Sequence, residues 1–132
     1  MIAALLLLQA APSLGPIGQQ ALPARGCAAF LWRADGERAL VGYAGAQDGT
    51  LRLTVDGRAM TLPRVAARGE AGLGFAGETD YAADGLTATL AMGVKTREDL
   101  AKGAIVTDAS MRIQRAGSDT VIVPVGGLIG CS

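Results

Sequence analysis

Residues 50–62, TLRLTVDGRAMTL, alternate apolar and polar side chains on either side of an Asp56-Gly57 pair. Leu51, Leu53 and Val55 face one way and Arg52 and Thr54 the other, and Met60 and Leu62 resume the alternation after the pair. A two-residue Asp-Gly loop suits a type I′ turn, whose two central residues take positive φ, freely for Gly and tolerably for Asp. Counting outward from the turn sets Leu53 opposite Met60 and Leu51 opposite Leu62, so both strands present apolar side chains to a common face. The rest of the chain is arranged around this hairpin.

The same period of two recurs on both sides of it. Residues 28–33, AAFLWR, read as a strand with Phe30 and Trp32 on one face and Leu31 on the other, and residues 38–44 return as its partner after Asp35-Gly36. A three-residue loop there pairs Arg33 with Glu37 and avoids an Arg33–Arg38 clash. Residues 63–71, PRVAARGEA, read as an interruption, and Leu73-Gly74-Phe75 starts an extended segment through Tyr81. Asp84-Gly85 is a further turn, leading into LTATLAM and setting Tyr81 across from Ala88. Residues 96–102, TREDLAK, carry the helical signal: Thr96 as cap, Glu98 and Asp99 in the first turn, Gly103 as terminator. Met111 and Ile113 alternate with Arg112 and Gln114, a turn follows around Gly117-Ser118-Asp119, and a last strand begins at Thr120, with Pro124 implying an edge or an end. About eight short strands at such spacing predict an all-β, antiparallel small barrel or sandwich with one short helix.

The N-terminal residues carry a different pattern. Residues 1–11, MIAALLLLQAA, form a short apolar run ending in small residues before Pro12. That is the hydrophobic region of a secretory signal, without the usual positive start and with cleavage near Ala10 or Ala11. About 11 residues are too few for a bilayer span, which takes roughly 20. Residues 12–26, rich in Pro, Gly and Gln, read as a flexible lead-in, and 27–132 as a single β domain. Cys27 and Cys131 bracket that domain. A bridge between them closes a loop of about 105 residues, for which loop entropy gives about 4.7 kcal/mol, and it persists in an oxidising compartment. Arg25 stands where a lipid-bearing cysteine needs a small neighbour, so pairing is preferred to lipidation or to two free thiols. The expected address is periplasmic or secreted, with no stable membrane insertion once the signal is removed.

Composition narrows the chemistry. Half of the residues are hydrophobic but only 4% are aromatic, so the core must be aliphatic. Twelve basic and twelve acidic residues, spread along the chain, cancel to a formal charge of zero, which gives little electrostatic drive toward nucleic acid or an anionic membrane. The sequence contains no histidine. A Ser-His-Asp or Cys-His triad is therefore impossible, and two cysteines alone do not make a Cys/His metal site. No metal and no cofactor is expected.

The candidate site residues are few. Phe30 and Trp32 are either core or a platform on which a ligand stacks. Arg64 and Arg68 are either solubilising surface or a grip for an anionic group, with Glu70 beside them. Glu70, Glu78, Asp80 and Asp84 form the one acidic neighbourhood, whose members serve as turn formers or, as a pair, for acid–base hydrolysis of a glycosidic bond. Residues 72–77, GLGFAG, space their glycines toward a dinucleotide fingerprint but lack the βαβ setting that motif needs.

A secretory-type start, a cysteine-linked β domain and LRLTVDGRAMTLPR followed by a small-residue loop resemble the MliC-type periplasmic lysozyme inhibitors. The resemblance covers residues 51–92 and implies an eight-stranded barrel that presents a Ser-Ala-Ser-Gly-Ala-Arg-Tyr-like loop to the lysozyme cleft. The corresponding residues here are 66–72, AARGEAG, which match at Gly69 and lack both serines, the Arg and the Tyr. The stretch 120–131, with VIVPVGGLIGC, is similar to the ends of small exported bacterial proteins of unassigned activity. Together these features predict a non-catalytic exported domain of a Gram-negative envelope that binds a protein, glycan or small ligand. Inhibition of c-type lysozyme and a carboxylate-dependent hydrolase are the alternatives.

Overall fold

A computed structural model describes residues 11–100 and 102–132, so all but the end of the signal-like stretch lies outside the described residues. Nine strands follow one another: β1 (Leu14–Gly15), β2 (Cys27–Arg33), β3 (Leu40–Gly45), β4 (Thr50–Val55), β5 (Arg58–Arg68), β6 (Glu78–Ala83), β7 (Leu86–Lys95), β8 (Gly103–Arg115) and β9 (Val121–Cys131). The β4–β5 hairpin has the register its turn dictates, with Leu53 opposite Met60 and Leu51 opposite Leu62. Asp56 and Gly57 both take positive φ, 52° and 78°. Asp84 and Gly85 repeat that geometry between β6 and β7, and Tyr81 pairs with Ala88.

Each strand from β2 to β9 pairs antiparallel with the next, and β9 pairs back onto β2. The result is a closed eight-stranded barrel, not a sandwich. A barrel of this strand number has an interior just wide enough for side chains to fill. Here it is filled by aliphatic residues, among them Leu31, Leu51, Leu53, Leu62, Leu90 and Met111, each at most 2% exposed. Each such side chain contributes about 1.5–3 kcal/mol over its exposed state. An aliphatic interior is the reverse of the polar lumen of a membrane channel barrel.

Cys27 and Cys131 stand directly opposite each other on β2 and β9 and are bonded, with Cα atoms 4.0 Å apart and a separation of 104 positions along the chain. The bridge therefore lies on the seam where the first long strand meets the last. Disulfides of this kind belong to oxidising, non-cytoplasmic compartments.

Four expectations are corrected. The described residues of 96–102 form no helix: Leu100 N donates to Arg97 O in a single turn, and Arg97 pairs with Asp99, two residues away and off any shared helix face. A segment this short, pinned at both ends by the β7–β8 ladder, cannot repay helix nucleation. Residues 63–68 are no interruption, because β5 runs through Pro63, opposite Thr50, to Arg68. The extended segment begins at Glu78 and not at Leu73, since Leu73 and Gly74 are the positive-φ centre of a tight turn closed from Phe75 N to Gly72 O. Pro124 sits inside β9, opposite Ser110 of β8, and its other side faces the end of β2, the local edge its presence implied. Its carbonyl accepts from Ala34 N. An antiparallel residue turns its N–H and C=O to the same neighbour, so the missing donor falls just where β2 stops. The β2–β3 loop is also longer than expected, and Arg33 pairs with Asp35 instead of Glu37.

Residues 12–26, expected as a lead-in, run along the outside of the barrel. β3 and β4 splay apart at one end, and β1 fills the gap: Leu14 pairs with Val55, and Ile17 N donates to Leu40 O. Ser13 N donates to the Asp56 carboxylate, which also accepts from Arg115 at 2.7 Å, and both bonds hold the Asp56 carboxyl below the ordinary carboxylate range.

Loss of the disulfide, by reduction or in the Cys27→Ser/Cys131→Ser double variant, is expected to lower unfolding free energy by about 2–5 kcal/mol. Urea unfolding of the wild type with and without reductant measures it; coincident midpoints would mean that the strand ladder alone holds the seam.

Candidate functional site

Along β2 the side chains alternate, so the choice of which face enters the core decides what remains outside. Ala29 and Leu31 enter the core. Phe30 and Trp32 consequently stand on the outer wall, and the core reading of this pair does not hold. Phe30 stacks on Trp32 (ring centroids 6.4 Å apart, planes at 25°) and meets Tyr43 edge-on at 5.1 Å. The N-terminal segment covers this end of the cluster: Tyr43 Oη donates to Ala21 O at 3.0 Å, and Leu22 lies over Gly130. Arg52 caps the Tyr43 ring at 5.0 Å, and burial raises the Tyr43 phenol above its ordinary pKa. Tyr43 thus ties the N-terminal segment to the wall, and Phe30 packs between Tyr43 and Trp32.

Trp32 is used differently. It borders an open groove of about 520 Å³ that is also lined by Arg33, Arg38, Gly126, Gly127 and Leu128. That volume falls within the usual range of small-molecule sites. The two glycines stand directly opposite Trp32 and Leu31 on β9, and their reasons for being glycine differ. A Cβ on Gly127 would collide with the Phe30 carbonyl oxygen, so this glycine lets the two strands of the seam approach. A Cβ on Gly126 would meet nothing within 4 Å, and its φ is ordinary. Among the described glycines, Gly126 alone combines open space with a φ that any residue can adopt. A strand glycine without a structural reason costs about 0.5–1 kcal/mol and often marks a close approach by a ligand or another backbone.

The electrostatics of the groove are one-sided. No carboxylate lines it. Arg33 is engaged, through Nε to Asp35 at 2.7 Å and through Nη1 to the Leu14 carbonyl. Arg38, exposed in the β2–β3 loop, makes no ion pair or hydrogen bond among the described residues.

Arg64, Arg68 and Glu70 lie elsewhere, at the barrel end that carries the disulfide and the loop of residues 69–77. Arg64 and Glu70 line a second cavity of about 380 Å³ between β5 and that loop, with Phe75 and Leu73. Leu73 has φ 53° and is 38% exposed, a costly backbone state for a bulky residue outside the core. Arg68 does not reach this cavity. Its guanidinium spans Glu78 at 2.8 Å and Asp80 at 3.0 Å on the outer face of the sheet, and Asp80 accepts a further bond from Thr89 at 2.7 Å. Of the five residues singled out from the sequence, only Trp32 lines the groove; Arg64 and Glu70 share the second cavity, and Phe30 and Arg68 line neither. Arg33, Arg38, Gly126, Gly127 and Leu128 were not among them. The one available signal was the glycine pair inside an apolar strand.

The four carboxylates do not converge. Asp84 is in the turn at the opposite end from Glu70, and Glu78 and Asp80 project from the convex wall onto one guanidinium. The bonds from Arg68 and then Thr89 hold the Asp80 carboxyl below its ordinary range, the wrong direction for a general acid.

The sign of that shift gives a pH dependence. A carboxyl whose folded pKa is depressed stabilises the fold above the unfolded value of about 3.9, and loses that contribution as pH falls through the lower folded value. In Arg68→Gln the Asp80 carboxyl is expected to titrate higher by side-chain NMR, and the fall in stability below about pH 4 to become shallower. An Asp80 titration unmoved by the substitution would break this assignment.

Compared with protein-family models, with curated proteins and with solved structures, the chain finds no match.

Proposed function

We propose that this chain is an exported, non-catalytic recognition module that binds its ligand on the outer wall of the barrel, in the groove beside Trp32. The barrel interior is packed with aliphatic side chains, so a ligand cannot be held as in a hollow barrel. One observation carries the reading: Gly126 leaves an empty slot against the groove's only aromatic side chain, and nothing in the fold requires that glycine. Export rests on the signal-like residues 1–11 and on the disulfide between Cys27 and Cys131. The two together support a periplasmic or secreted address.

Trp32 is the only tryptophan in the sequence, so its indole reports on the groove without interference. In a defined fragment library screened by NMR, ligands are expected to shift the Trp32 indole N–H resonance in the wild type and to lose that effect in Gly126→Leu. Gly126→Val, placed in open space at an ordinary φ, is expected to raise stability by about 0.5–1 kcal/mol. A destabilised Gly126→Val would mean that the glycine serves the fold, and hits indifferent to Gly126→Leu would move the site away from the groove.

A second reading is inhibition of c-type lysozyme through residues 66–72, of which 66–68 close β5 and 69–72 open the loop of residues 69–77; Leu73, next in that loop, is 38% exposed at a positive φ. Unstrained exposed turns do not use leucine there, and such outliers cluster at functional sites. The cell-wall clearing assay decides it: slowed clearing that Leu73→Gly relieves supports the reading, and undiminished clearing at excess wild-type protein ends it.

A further inference from the structure

We propose that the groove beside Trp32 takes a six-membered ring bearing a carboxylate, with the ring against the indole and the acid group on Arg38. The inference rests on the reading of the groove as the ligand site and adds the class of ligand. Three features of the lining lead to it.

The first is charge. Two guanidinium groups and no carboxylate line the groove. Asp35 offsets Arg33, which leaves Arg38 as the uncompensated cation at one end. A guanidinium is a planar fork that matches a carboxylate in a two-bond arrangement.

The second is the apolar contact. Phe30 backs the indole of Trp32, and Leu128, 49% exposed, forms a further wall. An aromatic face beside an exposed leucine holds a flat or chair-shaped ring through its carbon skeleton. The volume of about 520 Å³ accommodates one or two such rings.

The third is the floor. Without a Cβ at Gly126, a ring can lie close to the backbone of β9. Gly126 and Gly127 are paired with Trp32 and Leu31 of β2, so the floor is not a cradle of free N–H groups for a compact anion. Inorganic phosphate or sulfate would find one guanidinium and little else. A ligand that combines an acid with apolar ring surface uses every wall of the groove.

Two sources share this chemistry, a hexuronic acid and an aromatic carboxylic acid, and the test separates them. The Trp32 indole N–H resonance is followed during titration with digalacturonate, its methyl ester, 2-naphthoate, 2-naphthamide and inorganic phosphate. At least one of the two acids is expected to bind about 10-fold more tightly than its uncharged counterpart. Arg38→Gln is expected to abolish that preference while leaving the weaker binding of the uncharged ring, and Arg38→Lys to restore it only in part. A response to digalacturonate alone identifies a sugar acid, and a response to 2-naphthoate alone an aromatic one. Equal binding of acid and uncharged counterpart overturns the carboxylate assignment and leaves the groove standing. Binding that survives Gly126→Leu overturns the groove itself. No response to any of the four ring compounds, or phosphate binding as tightly as the acids, overturns the ligand class.

Discussion

A sheet that curls into a barrel has to join its first strand to its last, and here that seam is the pairing of β2 with β9. Seven residue pairs run along it from Cys27–Cys131 to Arg33–Val125, and the disulfide sits at one end. The rest of the architecture is a succession of neighbouring hairpins that need only local contacts. The seam is what turns the curved sheet into an enclosed core, and it sets the register of everything on the outer wall at that point. Trp32 faces Gly126 because the cysteines face each other: equal steps inward from the bridge along two antiparallel strands lead to that pair.

The filled interior accounts for where recognition is sought. Aliphatic side chains from the barrel strands occupy the space that a larger barrel would leave for a ligand. Binding is left to the wall and the ends, where the polar face of each strand and the connecting loops lie. On that wall the aromatic residues divide the work. Tyr43, with Phe30 packed edge-on against it, holds the N-terminal segment, and Trp32 borders an opening lined by none of that segment's residues. At the far end the loop of residues 69–77 folds back over the core with Phe75 buried and Leu73 outward.

Much of the fold was legible in the residues, because strand alternation and Asp-Gly turns are local signals. Both type I′ hairpins have the register that counting from the turn gives, and the cysteine pairing followed from spacing. Misreadings arose where a tertiary partner overrode a local cue. Pro63 looked like a break, yet β5 runs through it opposite Thr50. Thr96 and Gly103 looked like helix caps, yet the β7–β8 ladder leaves no room for a helix between them. The in-or-out choice for Phe30 and Trp32 could not be made locally either, since alternation fixes that they share a face and only the closed barrel decides which face is inside. The groove was hidden for a related reason. Trp32 and Gly126 are far apart in the chain and meet only across the seam, although the expected disulfide, followed inward residue by residue, contains the information.

The seam also has a consequence for how the chain reaches this state. It joins the strands most distant in sequence, so its ends meet against the largest loop-closure entropy, after the local hairpins can zip. Until then β2 and β9 are bare edges, open to pairing with other molecules. Pro124 offers no N–H on the side that will face β2, so a stray strand finds the ladder broken there. A residue that looks like a flaw in the finished barrel thereby guards the nascent one against aggregation.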